Sequence, residues 1–190
     1  MQVDSLLSVL HVAERLKDAT RHCYTSGGRH ESVAEHSWRI ALFAWFLRDE
    51  FPSLDMDKVI RMCLIHDLGE CFTGDIPSFL KSDADAEKED DLLARWVNTL
   101  PEPYKTDMTA LYAEMNALET EEAKLYKALD KLEAVIQHNE SPLDTWLPLE
   151  YEMNLTYGDQ NVSFSPYLTK LRAAVRRDTE RKIAEESSAK

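Results

Sequence analysis

The sequence predicts an all-α fold, a compact helical bundle whose chemistry sits between facing helices. Three observations carry that expectation. Apolar residues recur at helical spacing along most of the 190 residues, and only five glycines and seven prolines interrupt them. Hydrophobic residues at 44 % and charged residues at 30 % fit a helix-rich globular chain rather than a sandwich or a disordered one. Polar residues with metal-binding side chains fall on the same lines as the core residues, so they point inward.

In chain order, Leu6, Leu7, Leu10, Val12 and Leu16 mark a first helix over about residues 4–18. The stretch 20–31 loses the period and carries two glycines, two arginines and two histidines, so it reads as a loop that walls a pocket. Ser32 and Glu35 form a capping box that opens a helix to about Asp49, on which His36, Ile40, Phe43 and Leu47 share a line. Pro52 ends this segment, and Asp55 or Asp57 can start the next helix, where His66 extends the line of Val59 and Met62 and Asp67 that of Ile60 and Cys63. Glu70 follows one turn later, before Gly74 opens a turn through Asp75 and Pro77.

The acidic run from Asp83 to Asp91 reads as the solvated start of a helix that leads into Leu92, Leu93, Trp96 and Val97. A helix to about Asn116 follows Pro103, and another runs from about Glu119 to His138. Its core line is Leu125, Leu129, Leu132 and Ile136, with Asp130 and Glu133 on the flank. Residues 141–165 read as a long irregular connection, and a charged helix over about 166–182 closes the fold. The length suits a single domain over residues 1–190.

Net charge is −13, which argues against a nucleic-acid backbone or an anionic membrane as the main partner. A small anionic substrate remains compatible if cations concentrate in the pocket. Cys23, Cys63 and Cys71 are odd in number and form no Cys-x-x-Cys pair, so neither a disulfide framework nor a zinc ribbon is expected. With no signal-like start and no run of 18 apolar residues, a cytoplasmic location is expected.

An ionised carboxylate on a core-facing line costs several kcal/mol unless a cation compensates it. His36, His66, Asp67 and Asp130 are four such inward groups on three helices. Two imidazoles and two carboxylates suit one divalent ion of Mn, Co, Fe or Zn, with Mg less suited. The ordered motifs Glu31-Ser-Val-Ala-Glu-His36, His66-Asp-Leu-Gly-Glu70, Gly74-Asp-Ile-Pro77 and Leu129-Asp130 resemble the HD-domain metal-dependent phosphohydrolases, within them the 5′-deoxynucleotidase branch. The resemblance covers roughly residues 15–140, taken as the metal-binding core of the domain.

The resemblance implies an all-α HD domain, a homodimer, and hydrolysis of (deoxy)nucleoside 5′-monophosphates to nucleoside and phosphate by an activated water. It implies that His36, His66, Asp67 and Asp130 hold the metal, that Glu70 handles the proton, and that Asp75 meets the substrate or its water. Arg21 matches the arginine that meets phosphate or sugar. Together with His22, Arg29, Pro77 and Glu133, these make up the expected substrate contacts. Where the deoxynucleotidase pattern has a tryptophan after its arginine, this chain has His22. No histidine lies between His66 and His138, so one metal rather than two is expected. Two other readings keep the same residues: hydrolysis of another nucleotide or phosphorylated metabolite, and a regulatory module that binds metal and nucleotide without turnover.

Overall fold

Helix starts with side-chain caps set the frame of this computed structural model, which describes residues 1–189. The first helix, α1 (Val3–Ala13), runs into a short 3-10 turn and then a two-stranded antiparallel hairpin, β1 (Thr20–Tyr24) and β2 (His30–Ser32). The 20–31 stretch is therefore a hairpin and not an open loop. Gly28, at φ 79°, turns the chain between its strands.

Helix α2 (Val33–Leu47) opens on the predicted capping box, the Ser32 side chain accepting from the Glu35 amide while the Glu35 carboxylate accepts from the Ser32 amide. Asp55 caps α3 (Met56–Ile65), which packs with α2 and the long α7 (Glu121–Glu140). Ile40, Val59, Met62, Leu125, Leu129 and Leu132 are completely buried where these three helices meet. The core line read from the sequence for α7 is thus the line that is buried, apart from Ile136, which is partly buried. Between α3 and α7 lie α4 (Glu70–Thr73), the acidic α5 (Asp83–Val97) and α6 (Tyr104–Ala117).

The helix of His66 and Asp67 departs from the sequence reading. α3 stops at Ile65, and both residues lie in the tight turns that follow, with Leu68 N donating to Ile65 O and Glu70 N to Asp67 O. Orphan carbonyls at the helix end are taken up by tertiary partners, because Tyr112 Oη donates to Ile65 O at 2.7 Å and His66 Nδ1 to Cys63 O at 3.0 Å. Nothing in the local period signals those partners. Gly74, at φ 74°, then ends α4 and turns the chain into Asp75.

The 141–165 segment is not irregular. It holds a 3-10 turn, α8 (Glu150–Thr156), which packs on the closing helix α10 (Pro166–Ala189), and α9 (Asp159–Val162), which packs on α7 and α10. Arg172 of α10 fixes this segment by donating to the carbonyls of Asn154 and Tyr157. Among the described residues no helix is long and apolar enough to cross a membrane.

Candidate active site

Three elements converge on one point. The capped first turn of α2 supplies His36, the turn after α3 supplies His66 and Asp67, and the middle of α7 supplies Asp130. His36 Nε2 lies 3.3 Å from Asp130 Oδ1 and 3.9 Å from Asp67 Oδ2, and His66 Nε2 lies 2.9 Å from Asp67 Oδ2 and 3.9 Å from Asp130 Oδ1. Ligand atoms held about 2.0–2.2 Å from a common ion stand roughly 3–4 Å from one another. His36, His66 and Asp67 are therefore brought together at ligand spacing, with Asp130 within the same range of both histidines.

Hydrogen bonds behind the rings decide what faces inward. His66 Nδ1 donates to the Cys63 carbonyl, and His36 Nδ1 donates to Glu133 Oε2 at 2.5 Å, so each ring turns a bare Nε2 lone pair toward the two aspartates. His66 Nε2 is buried and makes no hydrogen bond, although Asp67 is close. Lone pairs set against carboxylate oxygens repel unless a cation or a proton lies between them. Burial pushes Asp67 up and its histidine neighbours outweigh this, while Lys127 and Lys131 do the same for Asp130, so both carboxyls are held well below the usual range. Without an ion a proton fills the role: burial and Arg21 push His36 down, but Asp130 and Glu133 override them and raise it to about 9. Two neutral imidazoles and two carboxylates would neutralise one divalent cation, so this donor set fits a metal.

A cleft of about 220 Å³ opens over these groups, room for one small ligand. Arg21, His22, Glu70, Asp75 and Pro77 all line it, as the sequence reading expected. Glu70 is 7 % exposed with an unpartnered Oε2; burial, with Asp67, Asp75 and Glu89 repelling it, pushes its carboxyl up to about 10. Burial raises Asp75 as well, against the pull of Arg21.

Two expected substrate contacts do not reach the cleft. Glu133 is 1 % exposed and stands behind His36, also accepting from Arg21 at 3.4 Å; its neighbour on α7, Asp130, occupies the front. Arg29 is exposed and donates twice to Glu35, because the hairpin end carries it to the outer side of α2. Conversely, Lys81, Lys127, Lys131 and His138 line the cleft and were not read as site residues. On α7 the spacing Lys127, Lys131, Ala134, His138 follows the same face as Asp130, a signal that was legible once Asp130 pointed inward.

The model of the HD domain family matches residues 13–172. The chain belongs to the HD domain family. Human 5′-deoxynucleotidase HDDC2 is 31 % identical over 140 residues, covering 72 % of this chain and 68 % of the human protein. Its mouse counterpart is 32 % identical, over 71 % of this chain and 69 % of its own. Among solved structures, a protein of Magnetospirillum magnetotacticum MS-1 described as a predicted metal-dependent phosphohydrolase superposes with a TM-score of 0.77 at 26 % identity. That match covers 95 % of this chain and 93 % of the other. This HD domain thus shares the helical fold over nearly its whole length, including the α8–α10 region beyond the last motif.

Proposed function

We propose that this HD domain is a metal-dependent phosphohydrolase of the 5′-deoxynucleotidase kind, releasing phosphate from (deoxy)nucleoside 5′-monophosphates. The observation that carries the reading is the pair of imidazole Nε2 atoms aimed at Asp67 and Asp130, that of His66 unpartnered, beneath a cation-lined cleft. The deoxynucleotidase relatives support the substrate class. We read the whole chain as one domain, cytoplasmic, with no nucleic-acid or membrane partner.

His36, His66, Asp67 and Asp130 would hold one ion of Mn, Co, Fe or Zn. When bound, such an ion supplies Lewis-acid polarisation of the phosphoryl group and lowers the pKa of water in the site toward about 7. Arg21, anchored by Glu31 at 2.7 Å, presents its remaining donors to the phosphoryl oxygens, where charge spreads in the transition state. Lys127 and Lys131 keep Asp130 ionised, so it needs no further proton partner. Glu70, unpartnered at Oε2 and brought to its charged form when an ion offsets the neighbouring carboxylates, would take a proton from the attacking water and return one to the leaving 5′-oxygen. Asp75 orients water or the sugar hydroxyl from the loop after Gly74.

Glu133 acts through His36, locking its tautomer and raising its basicity. Glu133→Gln is expected to weaken metal affinity by about 10–100-fold, the usual cost of losing such a partner. Titration against a chromophoric chelator measures this.

We read the protein as a homodimer. On α2, Trp38, Leu42, Trp45 and Phe46 fall at i, i+4, i+7 and i+8, and all four are exposed, Phe46 at 76 %. A second copy that covers this row explains why a soluble surface carries it. Trp45→Asp combined with Phe46→Asp is expected to halve the mass seen by light scattering, and an unchanged mass rejects this face as the dimer contact. The hydrolase reading itself is tested by phosphate release from nucleoside monophosphates with and without added metal. No release from metal-loaded protein would move the assignment to another phosphoester or to a binding module.

A further inference from the structure

Along α7 the cleft wall runs from Lys127 and Asp130 through Ala134 to His138. With a rise of about 1.5 Å per residue, His138 stands about 12 Å along the axis from Asp130. A phosphoester whose phosphorus sits over Asp130 has room along this wall to extend its alcohol portion toward His138. What lies there meets the part of the substrate that differs from one nucleotide to the next.

That far end is polar and built from elements beyond the motifs. Glu150 Oε1 accepts from His22 Nε2 at 2.5 Å and from His138 Nε2 at 2.9 Å, and the His22 ring packs edge-on against Phe79. One turn further along α8, Asn154 lines the same cleft. It is 1 % exposed, and its amide Nδ2 is buried without a hydrogen-bond partner. Its backbone is held in place by Arg172, which donates to the Asn154 carbonyl at 2.9 Å. A buried amide donor with no acceptor is a standing cost to the fold, and such groups persist where a ligand supplies what the protein omits.

We propose that Asn154 reads the base of the substrate, its amide turning about Cβ–Cγ to bring the unpartnered Nδ2–H from beneath the cleft wall to a carbonyl or ring-nitrogen acceptor, beside a His22 ring held still by Glu150. This rests on the nucleotidase reading and adds to it the contact that separates a nucleotide from a sugar phosphate without a base. A site built to hydrogen-bond a substrate group rejects analogues that lack it, because its own donor is then left unpaired.

The test compares wild type with Asn154→Leu, which keeps the volume and removes the donor. Steady-state kcat/KM is measured on the common deoxynucleoside 5′-monophosphates and on deoxyribose 5-phosphate, which has no base, together with the melting temperature of the metal-loaded protein. The expected result is a loss of about tenfold or more on the preferred nucleotides, against less than about twofold on deoxyribose 5-phosphate. The melting temperature should be unchanged or higher, since an unpaired donor has been replaced by an apolar group. An equal loss on all substrates, or an unchanged kcat/KM on the nucleotides, overturns the inference while leaving the nucleotidase reading intact. A wild type that releases phosphate from deoxyribose 5-phosphate but from no nucleotide overturns both.

Discussion

Asp67→Ala protein is expected to lose its metal and at least about 10³-fold of its phosphate-releasing activity while keeping its helical content. Several kcal/mol of transition-state stabilisation come from such an ion, and each 1.36 kcal/mol is tenfold in rate. Asp67 Oδ2 is the oxygen nearest to His66 Nε2, so its removal opens one side of the donor set and leaves His66 facing empty space. Metal content by mass spectrometry and phosphate release on the same samples check the two losses together. The ion-free site also predicts a pH dependence. His36 is raised to about 9 without the ion, so below that pH binding must displace a proton. Apparent metal affinity should therefore climb about tenfold per pH unit up to about pH 9 and level off above it. Calorimetry in buffers of different ionisation enthalpy would register the released proton.

Glu70→Gln is expected to do something different: metal content stays at the wild-type level, KM changes little, and kcat falls by about 10²–10⁴-fold. Glutamine keeps the shape and hydrogen-bonding capacity of the side chain but cannot carry a proton. Burial and the neighbouring Asp67, Asp75 and Glu89 carboxylates raise Glu70 above the ordinary carboxylate range, which disfavours its charged form. A divalent ion on Asp67 pulls the Glu70 carboxyl back down toward its charged, active form, so whatever rising limb of kcat with pH Glu70 carries in the metal-loaded enzyme should vanish in the glutamine variant. A variant that loses metal in proportion to activity would make Glu70 part of the donor set instead.

The long helices and the donors fixed on them were legible because each obeys a single period or a local cap. The Ser32–Glu35 box places the start of α2, and with it His36, and the buried row Leu125, Leu129 and Leu132 places Asp130 at the core edge. What escaped the sequence depends on contacts between distant segments. α3 stops before His66 with Tyr112, 47 residues away, bonded to its last carbonyl. The role of Glu133 is set by His36 and Arg21, each from another element, so its flank position on α7 reads equally as a pocket wall. Arg29 and Arg21 lie in one hairpin, yet the turn at Gly28 and the Glu35 carboxylate carry Arg29 outward while Glu31 holds Arg21 at the cleft. Asn154 sits on a seven-residue helix too short to show a period.

The most direct test is phosphate release from a panel of ribo- and deoxynucleoside 5′-monophosphates, using metal-stripped protein resupplied separately with Mn²⁺, Co²⁺, Fe²⁺ or Zn²⁺. Release that appears only with metal, favours deoxynucleotides and disappears in Asp67→Ala is the predicted result. Release that persists without metal, or metal-loaded protein that hydrolyses no nucleotide, would contradict a hydrolytic centre built from His36, His66, Asp67 and Asp130.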